Sequence, residues 1–485
     1  MKLRSRPEFG ESAMSSTTAS EGNGHLTGFG TKGYRTYVLL TLTIVYTLNF
    51  VDRILITVVG RPIIDEFQLS NFQFGILTGF AFALLYTLLG IPIAIASERI
   101  NRVRIIGACV ILWSVATILC GFAVGFATLL AARVLVGIGE AGCTPPANSI
   151  ISDYYKPSSR ATALGIYAMG VTAGGLLAQL FGGSLLKFFS WREAFIFVGA
   201  PGVLIGLLLL FTVKEPPRGY SEPPTSRKTD SIPIPQALRE IITKPTFWIM
   251  SAGATIAAFA GYALIGFQPL YIQYVKGVSV SDTALLYMAP LAVAGSAGAF
   301  LGGWLTELAS KKHPTAICWV PGLAHLLCAP IYAYSFVIGG LIPMLIFMAI
   351  AAVLQYFYLG SQYNIAQSVV SVRVRATSVA ILLFIVNLIG YGAGPPFFGF
   401  LADMFTNNYL ASMDLGTTLD ASCSLTEGGD ELIASCLEGK AFGIRWANFS
   451  AAGLFAVAGV FFLLSGMTFK RDAETVTGPA DQPAS

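Results

Sequence analysis

The stretch "TYVLLTLTIVYTLNFVDRILITVVG" fills residues 36–60. Its length suits a membrane-spanning helix, which needs about 20 apolar residues to cross a hydrocarbon core about 30 Å thick. Asp52 and Arg53 interrupt it. A charge at mid-bilayer costs roughly 2.5–3.5 kcal/mol on insertion scales, so intramembrane ionisable groups turn to the bundle interior, towards partners or water. Moving outward, uncharged or nearly uncharged runs recur at 73–97, 105–126, 128–151, 161–186, 192–213, 246–273, 283–306, 315–338, 340–368, 376–402 and 442–468. With the first, these predict an all-α membrane protein of twelve transmembrane helices. Composition agrees: of 485 residues, 54% are hydrophobic and 12% charged, with mean hydropathy +0.68. A soluble domain carries roughly 25% charged residues, and a soluble amphipathic bundle would show a charge every turn or two.

Most of the 30 Lys and Arg residues fall in the tails and in alternate connections on one side. The positive-inside rule then places both termini in the cytoplasm of a cell-membrane protein. The net charge of +4 is therefore a matter of topology and implies no nucleic-acid partner. The first 35 residues are polar, with no cleavable signal peptide expected.

The chain also repeats itself. "RATALGIYAMGV" (160–171) has its counterpart in "RATSVAILLFIV" (375–386), and "AIASERINR" (94–102) in "GWLTELASKK" (303–312). These pairs occupy equivalent topological positions, as expected for the six-plus-six duplication of a secondary transporter. The expected division is a cytoplasmic tail (1–35), an N-terminal six-helix bundle (36–213), a Pro- and charge-rich cytoplasmic linker (214–245), a C-terminal bundle (246–468) with an external loop (403–441), and a cytoplasmic tail (469–485). Cys423 and Cys436 are the cysteines of that external loop, in an otherwise cysteine-free exterior, and they suggest a disulfide.

In these motifs the chain resembles the major facilitator superfamily over most of 36–468. The loop after the second span carries Ala94, Glu98, Arg99, Asn101 and Arg102 where the superfamily has Gly-x-x-x-Asp-Arg-x-Gly-Arg-Arg. Its first Gly and its Asp are replaced, while the acid–base pattern survives; the second copy keeps Gly303, Glu307 and Lys311. "NFVDR" with "GIGEAG" (137–142) is most similar to the Spinster branch, associated with lysolipids and sphingoid-base phosphates. The resemblance implies a monomeric carrier, with loop charges that latch the outward-facing state: Glu98, Arg99, Arg102, Asp153 and Arg160, with Glu307 and Lys311 in the second half.

The site reading starts from the charges. Asn49 precedes Asp52 by about one turn, and Arg133, Gly137, Glu140 and Thr144 form one stripe on the fourth span. These groups are expected to line one aqueous cavity. Asp52 and Glu140 are the expected proton carriers, since burial disfavours a charged carboxylate and a nearby guanidinium favours it. Arg133 and Arg53 suit an anionic head group, because a guanidinium holds carboxylate or phosphate with two parallel hydrogen bonds. In the second half, "QYFYLGSQYNIAQ" (355–367) is dense in amides and tyrosines. Gln355, Tyr356, Gln362 and Tyr363, with Gln268, Tyr271 and Asn387, suit an amphipathic ligand, although tyrosines near span ends also form interfacial belts.

Enzyme classes lack their parts. The three histidines (His25, His313, His325) are scattered, and no Walker A, HExxH or GxSxG stretch occurs,. No metal or cofactor is expected beyond the proton as coupling ion. The reading is a proton-coupled carrier of a lysophospholipid or sphingoid phosphate; the alternatives are a symporter of a small organic anion and a non-transporting receptor.

Overall fold

A computed structural model describes residues 27–221, 233–413, 420, 423 and 429–475. The outer parts of both tails, the middle of the linker and most of 414–428 lie outside the described residues.

Among the described residues, twelve helices are long and apolar enough to cross a membrane: α1 (Lys32–Val58), α2 (Asn71–Gly90), α3 (Arg102–Cys120), α4 (Phe126–Tyr154), α5 (Pro157–Leu185), α6 (Trp191–Thr212), α7 (Pro245–Lys276), α8 (Val280–Ser310), α9 (Ala316–Val337), α10 (Leu341–Ser368), α11 (Arg375–Ala411) and α12 (Asp430–Glu474). Their ends follow capping chemistry. The Thr31 hydroxyl accepts from the Tyr34 amide at the start of α1, and the Asn101 side chain accepts from the Arg104 amide at the start of α3,. At the end of α7, Gly277 takes φ +68°, the left-handed conformation that glycine adopts without a Cβ clash,.

Several expected boundaries move. α1 begins inside the expected 1–35 tail, where the Phe29 amide also donates to the Tyr154 carbonyl. The linker contains a helix, Ile234–Ile242. The expected external loop 403–441 is helical over much of its length, because α11 runs on to Ala411 and α12 starts at Asp430. Its sequence carries charges but no proline, so both helices continue past the apolar run,. The structure joins Cys423 to Cys436, with Cα atoms 6.0 Å apart, and so staples the loop to the start of α12.

The helices divide into α1–α6 (the N-half) and α7–α12 (the C-half). Within each, small residues bring backbones together, as lipid-embedded packing requires. A Cβ at Gly174 of α5 would lie 2.5 Å from the Thr47 carbonyl oxygen of α1, and one at Gly459 of α12 would lie 2.7 Å from that of Gly322 in α9. At the end remote from the termini, one apolar core runs across both halves, with Leu55, Ile63 and Phe74 on one side and Leu264, Phe267 and Leu270 on the other. Hydrogen bonds cross between the halves at this far end. Asp403 of α11 accepts from the α2 N-terminus, Tyr274 donates to Asp65 (2.8 Å), Arg61 to the Gln273 carbonyl (3.2 Å) and Ser281 to the Gly183 carbonyl (2.6 Å).

Candidate substrate and coupling site

Helix α4 breaks where the site sits. Phe126–Glu140 and Thr144–Tyr154 are separate helical pieces joined by a turn over 141–143. Pro145 and Pro146 open the second piece; neither offers an amide to the preceding turn, so the helix cannot run through. The expected unbroken stripe Arg133–Gly137–Glu140–Thr144 therefore stops at Glu140, and Thr144 begins a new piece beside Tyr167. Interrupted helices near the midplane are a hallmark of transporter binding sites.

Consecutive residues of α1 reach different residues of α4. Arg53 Nε donates to Glu140 Oε2 at 2.6 Å, and Arg133 Nη1 donates to Asp52 Oδ1 at 3.4 Å. Neighbouring helical positions point about 100° apart, so the two pairs sit in different surroundings. Arg53 faces the space between the halves. Its guanidinium carbon lies 4.5 Å from the ring centroids of Phe82 and Tyr86 and 4.9 Å from that of Phe50. Across from it, Tyr262 and Tyr391 stack at 4.3 Å. Phe50, Arg53, Ile54, Thr57, Thr78, Tyr262, Ile265, Gly266 and Tyr391 line a pocket of about 400 Å³, counting its open mouth.

Asp52 turns away from that pocket. Its Oδ2 takes a hydrogen bond from the Thr117 hydroxyl of α3, and it lines a separate recess with Trp113, Ser114, Val198, Gly199 and Gly202 of α3 and α6. Arg133 is wholly buried, and its Nε and Nη2 have no partner. The expectation of one shared cavity is thus corrected: Arg53 lines the pocket between the halves, while Asp52 and Arg133 are packed inside the N-half. Glu140 joins the two regions, with Oε2 on Arg53 and Oε1 buried without a partner. Asn49 is also buried, its side-chain oxygen unpartnered.

A sequence model of the major facilitator superfamily matches residues 42–395. The chain belongs to that superfamily. It is 44% identical to a crystallised bacterial homologue of the human lysosomal transporter Spinster, in an inward-facing, unoccupied conformation; the match has a TM-score of 0.86 and covers 93% of this chain and 100% of that one. An MFS-type efflux pump of Mycolicibacterium smegmatis is 29% identical over 78% of this chain and 86% of its own length. Spinster homolog 1 of Xenopus laevis is 25% identical over 83% and 80%. The chain is thus a multi-pass transporter of this superfamily, related to Spinster proteins.

In this Spinster relative the C-half candidates scatter. Tyr271 donates to the Phe336 carbonyl of α9 at 2.9 Å and lies in the apolar core that the two halves share at the far end, outside the pocket lining. Gln355 packs on Gly261, and the Tyr356 ring packs on Gly295. Asn387 donates to the Leu383 carbonyl of its own helix at 2.8 Å, and Tyr363 is half-buried against the C-half core. Gln268 and Gln362 are buried, each with one side-chain polar atom unpartnered.

Arg102 and Asp153 do not bridge the halves in this structure. Arg102 is 1% exposed and donates to Asp153 (2.5 Å), Glu215 (2.6 Å), Ser149 (2.7 Å) and the Pro216 carbonyl (2.8 Å), all in the N-half or the first linker residues. Asp153 in turn accepts from the Gly219 amide at 2.9 Å. The expected interdomain latch is here an intra-bundle clamp on the linker, joined electrostatically by Arg160. Glu98 and Arg99 are exposed, and Glu307–Lys311 is a solvent pair along one helix at 3.7 Å.

Sequence reasoning missed Thr117, Phe82 and Tyr86, which have no charge to mark them. Tyr391 lies in a stretch, "GYGAGPPFFGF" (390–400), that reads as close helix packing and a flexible kink.

Proposed function

We propose that the chain is a proton-coupled secondary transporter working by alternating access. In this reading it carries an amphipathic anion, a lysophospholipid or sphingoid phosphate, across the cell membrane as a monomer with both termini cytoplasmic. The observation that carries the reading is the Arg53–Glu140 pair on the wall of the pocket between the halves. A guanidinium there can exchange one anionic partner for another. Protonation of Glu140 would release Arg53 to a substrate phosphate or carboxylate, while the aromatic walls take the apolar portion adjoining the head group. Asp52, held by Arg133 and Thr117 behind α1, would be the second protonatable group, out of the substrate's reach. The likeness to Spinster proteins supports a lipid-like substrate.

The test uses proteoliposomes with an imposed pH gradient and an anionic lysophospholipid, with a short sugar carboxylate as comparison. Expected are gradient-driven movement of the lysolipid and loss of its pH dependence in Glu140→Gln. Preference for the short carboxylate would move the substrate class to small organic anions. PH dependence unchanged in both Glu140→Gln and Asp52→Asn would end the proton-coupling reading.

A further inference from the structure

The N-terminus of α2 is capped by both halves of the molecule. A helix start leaves four amides without intrahelical partners. At α2, the Ser70 hydroxyl accepts from the Gln73 amide and the Gln73 side-chain oxygen accepts from the Ser70 amide, so α2's own capping box satisfies two of them,. The other two belong to Asn71 and Phe72, and both donate to the Asp403 carboxylate of α11, in the opposite half, at 2.9 and 2.8 Å. The Asn71 side-chain amide adds a third bond to Asp403 at 2.8 Å. The carboxylate also lies at the positive end of the helix dipole.

The backbones around it meet closely. A Cβ at Gly399 would fall 2.2 Å from the Asn71 carbonyl oxygen, and one at Gly75 would fall 2.4 Å from that of Pro395. The seam between α5 and α8 is the pseudo-symmetric counterpart. There Ser281 donates to the Gly183 carbonyl at 2.6 Å, and a Cβ at Gly183 would fall 2.8 Å from Ala284 Cβ.

We infer that Asp403 is a positioning residue of the transport cycle: by capping α2 from the other half, it holds the far end closed, and the far end opens only when that cap is released. The inference rests on the alternating-access reading and on neither the substrate nor the proton. Opening exposes the Asn71 and Phe72 amides to water, which replaces the lost acceptor. The lock is therefore strong enough to bias the two states and weak enough to reverse.

The experiment places spin labels at Lys187→Cys and Asn408→Cys, exposed positions of the N-half and C-half at the far end, and reads their separation in the full chain in nanodiscs. Asp403→Ala should raise the ratio of long to short separations about tenfold, the worth of one charge-assisted hydrogen bond. Asp403→Asn, which keeps one acceptor oxygen, should give a smaller rise. Asn71→Ala removes a single donor and should also shift the ratio, which keeps the inference testable if Asp403→Ala misfolds. A merely structural Asp403 would lower thermal stability and leave the ratio unmoved; that result overturns the proposal. If no variant and no pH or ligand condition yields a second separation, alternating access itself fails.

Discussion

The Arg53–Glu140 pair can be weighed by a double-mutant cycle. Glu140 is fully buried, and only Oε2 has a partner, Arg53 Nε at 2.6 Å. In Arg53→Ala that carboxylate loses its counter-charge, and removing one partner of a buried pair costs about 3–5 kcal/mol. The same change removes cation–π contacts with three rings, each worth about 0.5–2 kcal/mol. Glu140→Gln alone leaves Arg53 beside those rings and the amide oxygen, so it should cost less. In the double variant no unpaired buried carboxylate remains. It should therefore be more stable than the sum of the single losses by about 2–3 kcal/mol, the part due to the stranded charge. Reversible unfolding of the purified protein in SDS-doped micelles measures all four corners. Losses that add within about 0.5 kcal/mol would refute the reasoning, since additivity is the mark of groups that do not interact.

Three further outcomes follow from the same geometry. Arg102→Ala should destabilise the N-half by about 3–5 kcal/mol and speed proteolysis within residues 215–221, without changing the spin-label separations at the far end; a shift in those separations would restore the latch. Arg133→Lys should weaken transport of an anionic lysolipid and of a neutral analogue alike, because Arg133 is wholly buried and does not line the pocket; selective loss of the anion would place Arg133 in contact with substrate. Glu66, between α1 and α2, is held below the usual carboxylate range, chiefly by the hydrogen bond from Arg192 and also by that from the Trp191 indole. Its folded value is thus lower than its unfolded one, so its stabilisation is complete above the unfolded range and disappears as pH falls through the folded value. Glu66→Gln should therefore be less stable than the parent at neutral pH, by under about 1 kcal/mol for so exposed a pair. Stability curves should converge in acid; a gap that persists there would refute the assignment.

The sequence by itself determined the membrane class, the twelve spans and the duplication. Each rests on local quantities: the length of uncharged runs, which the bilayer thickness dictates, and repeated words at matching positions. It also singled out Asp52, Arg53, Arg133 and Glu140, because a charge inside an apolar run is visible without knowing its neighbours. Which carboxylate meets which guanidinium was decided only by the tertiary structure. Asp52 and Arg53 are adjacent in the chain, yet the helical twist sends one into the N-half beside Thr117 and the other into the pocket against Phe82 and Tyr86. Arg102 likewise reads as a loop charge free to reach the other half, whereas packing buries it under Glu215 and Asp153. Asp403 was legible only as the start of a loop; as the cap of a helix more than three hundred residues earlier in the chain, it depends on how the halves meet. Periodicity fixes which face of a helix a residue occupies, and only packing decides what that face touches.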